Sequence, residues 1–333
     1  MSIDTAQRES LIRQIYGINA RDFETVALQL WRFQYAGNPL YKNYCDALGQ
    51  GPDTVRSCYD IPFLPISMFR DHVVKTGEWK AEKVFASSGT TDSIPSRHPI
   101  HDLDWYHAIA EKCFGEFYGG PASYTWLALL PSYLERPDSS LVDMVEFFMK
   151  KSNRKENSFF PVADHTLLSQ LHTLAEGNRP TILIGVSFAL LDFCEQYNSP
   201  VWEELLVIET GGMKGRRAEI TRNELHERLK QHHPGLRMAS EYGMTELMSQ
   251  AYSRDLDFTC GPTLKVFIRD ISDPLKMITS GQRGVINVID LANIDTCAFI
   301  ATDDIGINHD DGSFEVLGRL DQSDVRGCNL MYS

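Results

Sequence analysis

Between Tyr124 and His232, short apolar runs alternate with segments of helical period, and this alternation restricts the fold more than any other feature of the chain. Tyr124–Leu130, Thr181–Ile184 and Leu205–Glu209 read as buried strands. Ser140–Lys150, Thr166–Glu176, Phe188–Tyr197 and Arg222–His232 read as helices, and Lys151–Ser158 as an exposed loop. Strands that alternate with helices imply an α/β fold with mainly parallel sheets flanked by helices, and ligands at the strands' carboxyl ends. Upstream, Phe23, Val26, Ala27, Leu30 and Phe33 place one helix face within Asp22–Tyr35. Leu103–Tyr118 reads as another helix, and Trp79–Phe85 as a short strand. Between them the tyrosine-rich stretch from Pro39 through Pro65 reads as a connector, extended around Pro62 and Pro65. From Leu264 onward the texture is β-rich. Val285–Asp290 and Cys297–Ala301 read as strands, and Ile305–Ile307 pairs with Phe314–Leu317 across an Asp310-Asp311-Gly312 turn.

The chain's 333 residues are enough for a large core and two lobes. A net charge of −13 argues against a nucleic-acid or anionic-membrane binder. It does not argue against a polyphosphate site, because fields are screened within about 8 Å at physiological salt. The first residues lack a basic and an apolar region, so no signal peptide is expected, and no apolar run approaches a membrane span of about 20 residues. The seven cysteines are odd in number, widely spaced and free of any C-x-x-C pair, which argues against a disulfide framework and a zinc site. A cytoplasmic, reduced protein is the expectation.

The stretch Phe85-Ala86-Ser87-Ser88-Gly89-Thr90-Thr91-Asp92 surrounds one glycine with four hydroxyls. Such a loop turns backbone N–H groups and hydroxyls into a concavity that suits phosphate oxygens, and Gly89 lets the backbone come close. It is not a Walker-type loop, since no Gly-Lys-Ser/Thr follows, and clusters of this composition are commonly plain turns. Three further segments carry chemistry. Glu241-Tyr242-Gly243-Met244-Thr245-Glu246 is expected where a strand meets a helix. Thr302-Asp303-Asp304-Ile305-Gly306 places acids near the end of a short strand. Gly318-Arg319-Leu320-Asp321 is followed by Val325-Arg326-Gly327-Cys328-Asn329.

In this order the four segments resemble the motifs of the adenylate-forming superfamily of acyl-activating enzymes: Ser-Ser-Gly-Thr-Thr-Gly, Tyr-Gly-x-Thr-Glu, Thr-x-Asp and Gly-Arg-x-Asp. Within it the chain is most similar to the acyl-protein synthetase family of long-chain-fatty-acid–luciferin-component ligases. That likeness is carried by Leu129–Arg136, Glu209–Arg217 and Arg326–Leu330, and phenylacetate–CoA ligases are more distantly similar. The resemblance implies the superfamily's large N-terminal domain, divided as an N-terminal helical region (1–84), an α/β core (85–263), a β-rich subdomain (264–318) and a truncated hinge (319–333). The chain stops at Ser333, where most members begin a small lysine-bearing C-terminal domain, so that domain is expected to be absent.

It also implies roles. Ser87, Ser88, Gly89, Thr90 and Thr91 would clasp the ATP phosphates, and Tyr242 and Gly212 would line the adenine. Thr245 would hold the α-phosphate or the substrate carboxylate, and Glu246 would bind Mg2+. Asp304 would bind the ribose hydroxyls, and Arg319 the ribose or a phosphate. A carboxylic acid of the fatty class would be adenylated and passed through Cys328 to an acyl-reductase or other acyl-acceptor protein, with Arg326 favouring the thiolate. Asp92 replaces the usual glycine, and Pro95-Ser96-Arg97 the usual Pro-Lys, leaving Arg97 or His98 as the phosphate-neutralising cation. Three other readings exist. One is an acyl-CoA ligase of the phenylacetate type. A second is a serine acyl hydrolase built on Gly185-Val186-Ser187-Phe188-Ala189, a degenerate nucleophile elbow. The third is a metal set of His98, His101 and His107, whose spacing is poor for the purpose.

Overall fold

The computed structural model describes residues 4–87, 94–131, 136–211, 217–218 and 220–320. In chain order the helices are α1 (Thr5–Tyr16), α2 (Phe23–Gly37), α3 (Pro39–Ala47), α4 (Met68–Asp71), α5 (Leu103–Tyr118), α6 (Ser140–Ser152), α7 (His165–Glu176), α8 (Ser187–Gln196) and α9 (Arg222–His232). The strands are β1 (Leu64–Pro65), β2 (Lys83–Ala86), β3 (Arg97–Ile100), β4 (Thr125–Leu129), β5 (Ser158–Phe160), β6 (Thr181–Val186), β7 (Leu205–Thr210), β8 (Arg237–Tyr242), β9 (Ala251–Arg254), β10 (Asp257–Cys260), β11 (Leu264–Arg269), β12 (Gly284–Asp290), β13 (Phe299–Asn308) and β14 (Phe314–Arg319). The chain divides into two units. One comprises Met1–Cys113, Met244–Gln250 and Thr259–Ser333; the other comprises Phe114–Gly243 and Ala251–Phe258.

In the first unit β11, β12, β13 and β14 form an antiparallel ladder, to which β1 adds in parallel through Leu64↔Ile300 and Pro65↔Ala301. The proline-marked stretch is thus extended where it docks, but its beginning is not. Pro39–Ala47 is a helix rather than a connector, because Asn38 caps it through the Tyr41 N–H at 3.1 Å and Pro39 occupies the first position. The acidic segment at 302–304 also differs from expectation. Phe299–Asn308 is one continuous strand, and the acids lie in its middle, with Asp303 exposed and Asp304 paired opposite Arg319. Alternation across the pleat lets two adjacent acids take opposite environments.

The helical layer α1–α3 buries Leu11, Ile15, Val26, Leu30 and Trp31, and it anchors the loop between β12 and β13. Fully buried Gln34 donates to the carbonyls of Asn293 (2.8 Å) and Ile294 (3.1 Å) and accepts from the Ala298 N–H at 2.9 Å. Asn38 donates to the Thr296 carbonyl at 3.1 Å, and Thr76 to the same oxygen at 2.6 Å. Buried amides without partners would each cost about 1–3 kcal/mol, so this loop has essentially one conformation available.

The second unit carries the parallel sheet, in the order β5-β4-β6-β7-β8, with β9 antiparallel to β8. β4 and β6 are buried along their whole length, as strands covered on both faces must be. Helix α6 packs on β4, and α8 on β6 and β7. At Gly185 a Cβ would lie 2.9 Å from Leu190 and 3.1 Å from the Leu129 carbonyl, so this glycine is required by close packing of helix on strand. After β8 the chain makes a turn and returns as β9. The strand-to-helix junction expected at Tyr242 is therefore a strand-to-turn junction.

Candidate functional site

The site of the first unit starts at the hairpin of β2 and β3, whose ladder runs from Lys83↔Ile100 to Ala86↔Arg97. One more rung closes its neck: the Ser87 N–H donates to the Ser96 carbonyl at 3.0 Å, and the Ser96 N–H to the Ser87 hydroxyl oxygen at 2.9 Å. Ser87 therefore sits at the mouth of the hydroxyl-rich loop. Ser88, Gly89, Thr90 and Thr91 lie outside the described residues.

Ser96 and His98 are two residues apart in extended backbone, hence on one face. Both reach the turn at Thr245 and Glu246. The Ser96 hydroxyl bonds the Glu246 carboxylate, and His98 Nδ1 lies 2.8 Å from the Thr245 carbonyl. The far side of that turn is held as firmly. Asn293 donates to the Glu246 carbonyl at 2.7 Å, and fully buried Asp290 accepts the N–H groups of Met248 (2.7 Å) and Ser249 (3.0 Å).

Glu246 is only 5% exposed, and burial pushes its carboxyl above the ordinary range. The Ser96 hydrogen bond and the Arg319 charge pull it back, while Asp304 pushes it further up. Ser96, Glu246, Asp304 and Arg319 therefore share one electrostatic neighbourhood. Asp304 is buried and its carboxylate accepts from Arg319 Nε at 3.4 Å, but the Arg319 side chain is 81% exposed, so that pair contributes little to stability. A buried carboxylate beside a hydroxyl and a second carboxylate is a donor set that fits a hard divalent cation. Glu246 is the residue that could hold it.

His98 does not meet the expectation of a phosphate-neutralising cation. It is 1% exposed, and burial pulls its imidazole down to about 4, so it is neutral at physiological pH. Arg97, on the alternate face, is exposed. The three histidines do not converge either. His101 stacks on Trp79 at 4.7 Å and faces Asp295 at 3.4 Å, and His107 contacts the Tyr106 ring. Sequence reasoning gave Asp290, Asn293 and Thr296 no role. The available signal was their polarity, shared with Asn287 and Asp295, inside the largely apolar run from Val285 to Ala301.

In the second unit, Tyr242 ends β8, 7% exposed, with its ring 5.6 Å from that of Phe258. Its neighbour Glu241 is buried, and burial followed by repulsion from Glu209 raises its carboxyl to about 7 despite a hydrogen bond from Thr210. The Ser187 hydroxyl, 4% exposed, donates to Glu209 Oε2 at 2.9 Å, and Arg222 lies 3.6 Å from Glu209. A serine whose proton is committed to a carboxylate at a helix start is a buried structural group, which removes the basis of the elbow reading. Arg217 pairs with Asp192 and Glu195 of α8, so its charge is balanced internally. Gly212 and Cys328 lie outside the described residues. The other six cysteines are free thiols pushed up by burial, Cys45 and Cys113 to about 11 and Cys58, Cys194 and Cys260 to about 12.

The chain is 23% identical over 328 residues to the long-chain-fatty-acid–luciferin-component ligase of Vibrio harveyi, an alignment covering 91% of this chain and 85% of that protein. No protein-family model matches it. Among solved structures, 2-hydroxyisobutyryl-CoA ligase in complex with 2-HIB-AMP and CoA matches with a TM-score of 0.66 at 14% identity, over 93% of this chain and 71% of that one. The AMP complex of o-succinylbenzoate CoA synthetase from Bacillus subtilis matches with a TM-score of 0.52 at 18% identity, over 72% of this chain and 49% of that one. ATP-bound MatB from Rhodopseudomonas palustris matches with the same TM-score at 17% identity, over 71% and 47%. At these identities the likeness to the solved structures is one of fold.

Proposed function

We propose that this chain, whose fold is that of the adenylate-forming enzymes, is an ATP-dependent ligase that activates a carboxylic acid and transfers it to a thiol. The observation that carries the reading is the gathering, in the first unit, of Ser96, of Glu246 in its turn, and of Asp304 and Arg319 paired across β13 and β14. A carboxylate is a poor electrophile at neutral pH, so its oxygen must first become part of a leaving group. The carboxylate oxygen attacks the α-phosphorus of ATP, the bond to pyrophosphate breaks, and acyl-AMP forms. A thiolate then attacks the acyl carbon and AMP departs.

Each residue has a part to play in that sequence. Ser87 and the loop through Thr91 bind the phosphates, and Tyr242 and Gly212 flank the adenine. Thr245 takes the α-phosphate or the acid, Asp304 the ribose hydroxyls, and Arg319 the ribose or a phosphate. Glu246 would hold Mg2+, which supplies charge neutralisation when bound. The Vibrio harveyi relative, by its name, acts on long-chain fatty acids, which supports a fatty acid as substrate. Cys328 is the thiol on this chain whose neighbours match the acyl-protein synthetases, and burial disfavours the six described thiols as nucleophiles. From Cys328 the acyl group would pass to an acyl-acceptor protein. The presence of CoA in the 2-hydroxyisobutyryl-CoA ligase structure supports a second reading, in which CoA is the thiol.

A panel of labelled acids with ATP separates these cases. Pyrophosphate release together with hydroxylamine-labile label on the protein, the label lost in Cys328→Ser, supports the protein thioester. Release without protein label, and acyl-CoA formed on adding CoA, supports the second reading. Acyl turnover that needs no nucleotide contradicts both.

A further inference from the structure

We propose that Asn293 is a positioning residue that aims Glu246, so that the affinity of the site for Mg2+ depends on a side chain from a distant segment of the chain. The inference rests on the reading of Glu246 as the metal ligand.

A ligand carried on a helix is aimed by the helix's own hydrogen bonds. Glu246 lies in a turn instead, after β8 and before β9. A backbone bond closes that turn, from the Leu247 N–H to the Met244 carbonyl at 3.0 Å. What holds the stretch from Glu246 to Ser249 comes largely from the loop between β12 and β13. Asn293 Nδ2 donates to the Glu246 carbonyl at 2.7 Å, and Asp290 accepts from the N–H groups of Met248 and Ser249. The Asp290 bonds act two and three residues further on. The Asn293 bond acts on Glu246 itself.

Asn293 is well placed to impose a direction, because each of its polar groups is engaged. It is 2% exposed, and its Oδ1 accepts from the Thr296 hydroxyl at 3.0 Å. Its backbone N–H donates to the Asp290 carbonyl at 3.0 Å, and its own carbonyl accepts from Gln34 at 2.8 Å. These partners also fix which way the amide faces. Oδ1 is committed to a hydroxyl donor, and a carbonyl can only accept, so the NH2 group must point at Glu246. Without that donor the buried Glu246 carbonyl is left short of a partner, its peptide is free to rotate, and the carboxylate on the same Cα changes direction with it. Partners that orient a metal ligand are commonly worth tenfold to a hundredfold in metal affinity.

The test measures binding of a non-hydrolysable ATP analogue by calorimetry, with and without Mg2+, for the wild type and three variants. Asn293→Ala removes the donor and leaves a gap, whereas Asn293→Leu removes the donor and keeps a branched side chain. Thr76→Val is the control, since it deletes a hydroxyl bond to the Thr296 carbonyl of the same loop and leaves the bond to Glu246 in place. Mg2+ should strengthen binding equally in the wild type and in Thr76→Val. That strengthening should fall on the order of tenfold or more in both Asn293 variants. Affinity without metal should stay within about twofold throughout, because buried Asn293 acts on the turn alone.

Equal Mg2+ enhancement in all four proteins overturns the proposal and leaves the ligase reading intact. A loss in only one Asn293 variant makes side-chain volume the cause, and an equal loss in Thr76→Val makes it general loosening of the loop; either result overturns the proposal. Failure of both Asn293 variants to fold overturns it too, since the side chain would then serve the fold. If Thr76→Val does not fold, the two Asn293 variants decide. A wild type that binds nucleotide with no Mg2+ enhancement removes Glu246 as metal ligand and the proposal with it, and a wild type that binds no nucleotide removes the ligase reading as well.

Discussion

Each unit buries a glutamate whose carboxyl is pushed upward, and the two are handled differently. Glu246 in the first unit meets a hydroxyl from Ser96 and the charge of Arg319, with Asp304 as a second acid. Glu241 in the second unit meets Thr210 and the like charge of Glu209, and reaches about 7. Burial is the largest cause in both. The first arrangement sets a carboxylate beside a hydroxyl and a second acid, the donor set proposed above for a cation. The second leaves a carboxyl close to half protonated at neutral pH, able to donate as well as accept. A raised carboxyl is therefore a sign of burial, and its surroundings decide whether it serves ligand binding or the fold.

The largest expected effect tests the first half of this contrast. Glu246→Gln should lower acid-dependent pyrophosphate release by about 100- to 1,000-fold, as loss of a charge-stabilising group does, without lowering thermal stability. Steady-state kinetics and a melting curve check the pair. A large drop in melting temperature would make Glu246 structural instead.

The second half concerns stability against pH. For Glu241 the folded-state value lies above the unfolded one, near 4.5, so the native state binds the proton more tightly. Its contribution is complete below about 4.5 and is lost as pH rises towards about 7. Between pH 5 and pH 7 the wild type should thus lose about 2 kcal/mol relative to Glu241→Gln, measured by urea denaturation at each pH. Parallel stability curves for the two proteins would show that Glu241 is ionised throughout.

Smaller effects sharpen the comparison within the first unit. Asp304→Asn should raise KM for ATP about tenfold with kcat nearly unchanged, the signature of a group that binds substrate and transition state alike. Arg319→Ala should cost only about two- to fivefold, because its side chain is mostly exposed and water screens its charge. An Arg319 effect larger than that of Asp304 would mean that the arginine closes over the nucleotide when it binds.

How far these features were legible depended on the range of the interaction. Local period placed Leu103–Tyr118 and Arg222–His232 at their observed bounds, since that signal lies within a few residues. The helix at Pro39–Ala47 is masked in the sequence by the extended signal of Pro62 and Pro65, although its Asn38-Pro39 start is a local helix signal. The strand Phe299–Asn308 looked broken because adjacent acids resemble a turn until Arg319 is seen opposite Asp304. Motif order pointed to Glu246 and Asp304 as partners in one site, which the first unit brings together. Nothing local, however, joins Ser96 or His98 to a turn about 150 residues away. His98 reads as a cation in the sequence because burial, which decides its charge, is a property of the folded chain.

The central claim is that Glu246 and Asp304 serve one nucleotide, and acid-dependent exchange of labelled pyrophosphate into ATP tests it most directly. The expected exchange requires both Mg2+ and a carboxylic acid, falls by about 100-fold or more in Glu246→Gln, and needs a higher ATP concentration in Asp304→Asn. Exchange that proceeds unchanged in both variants would contradict it.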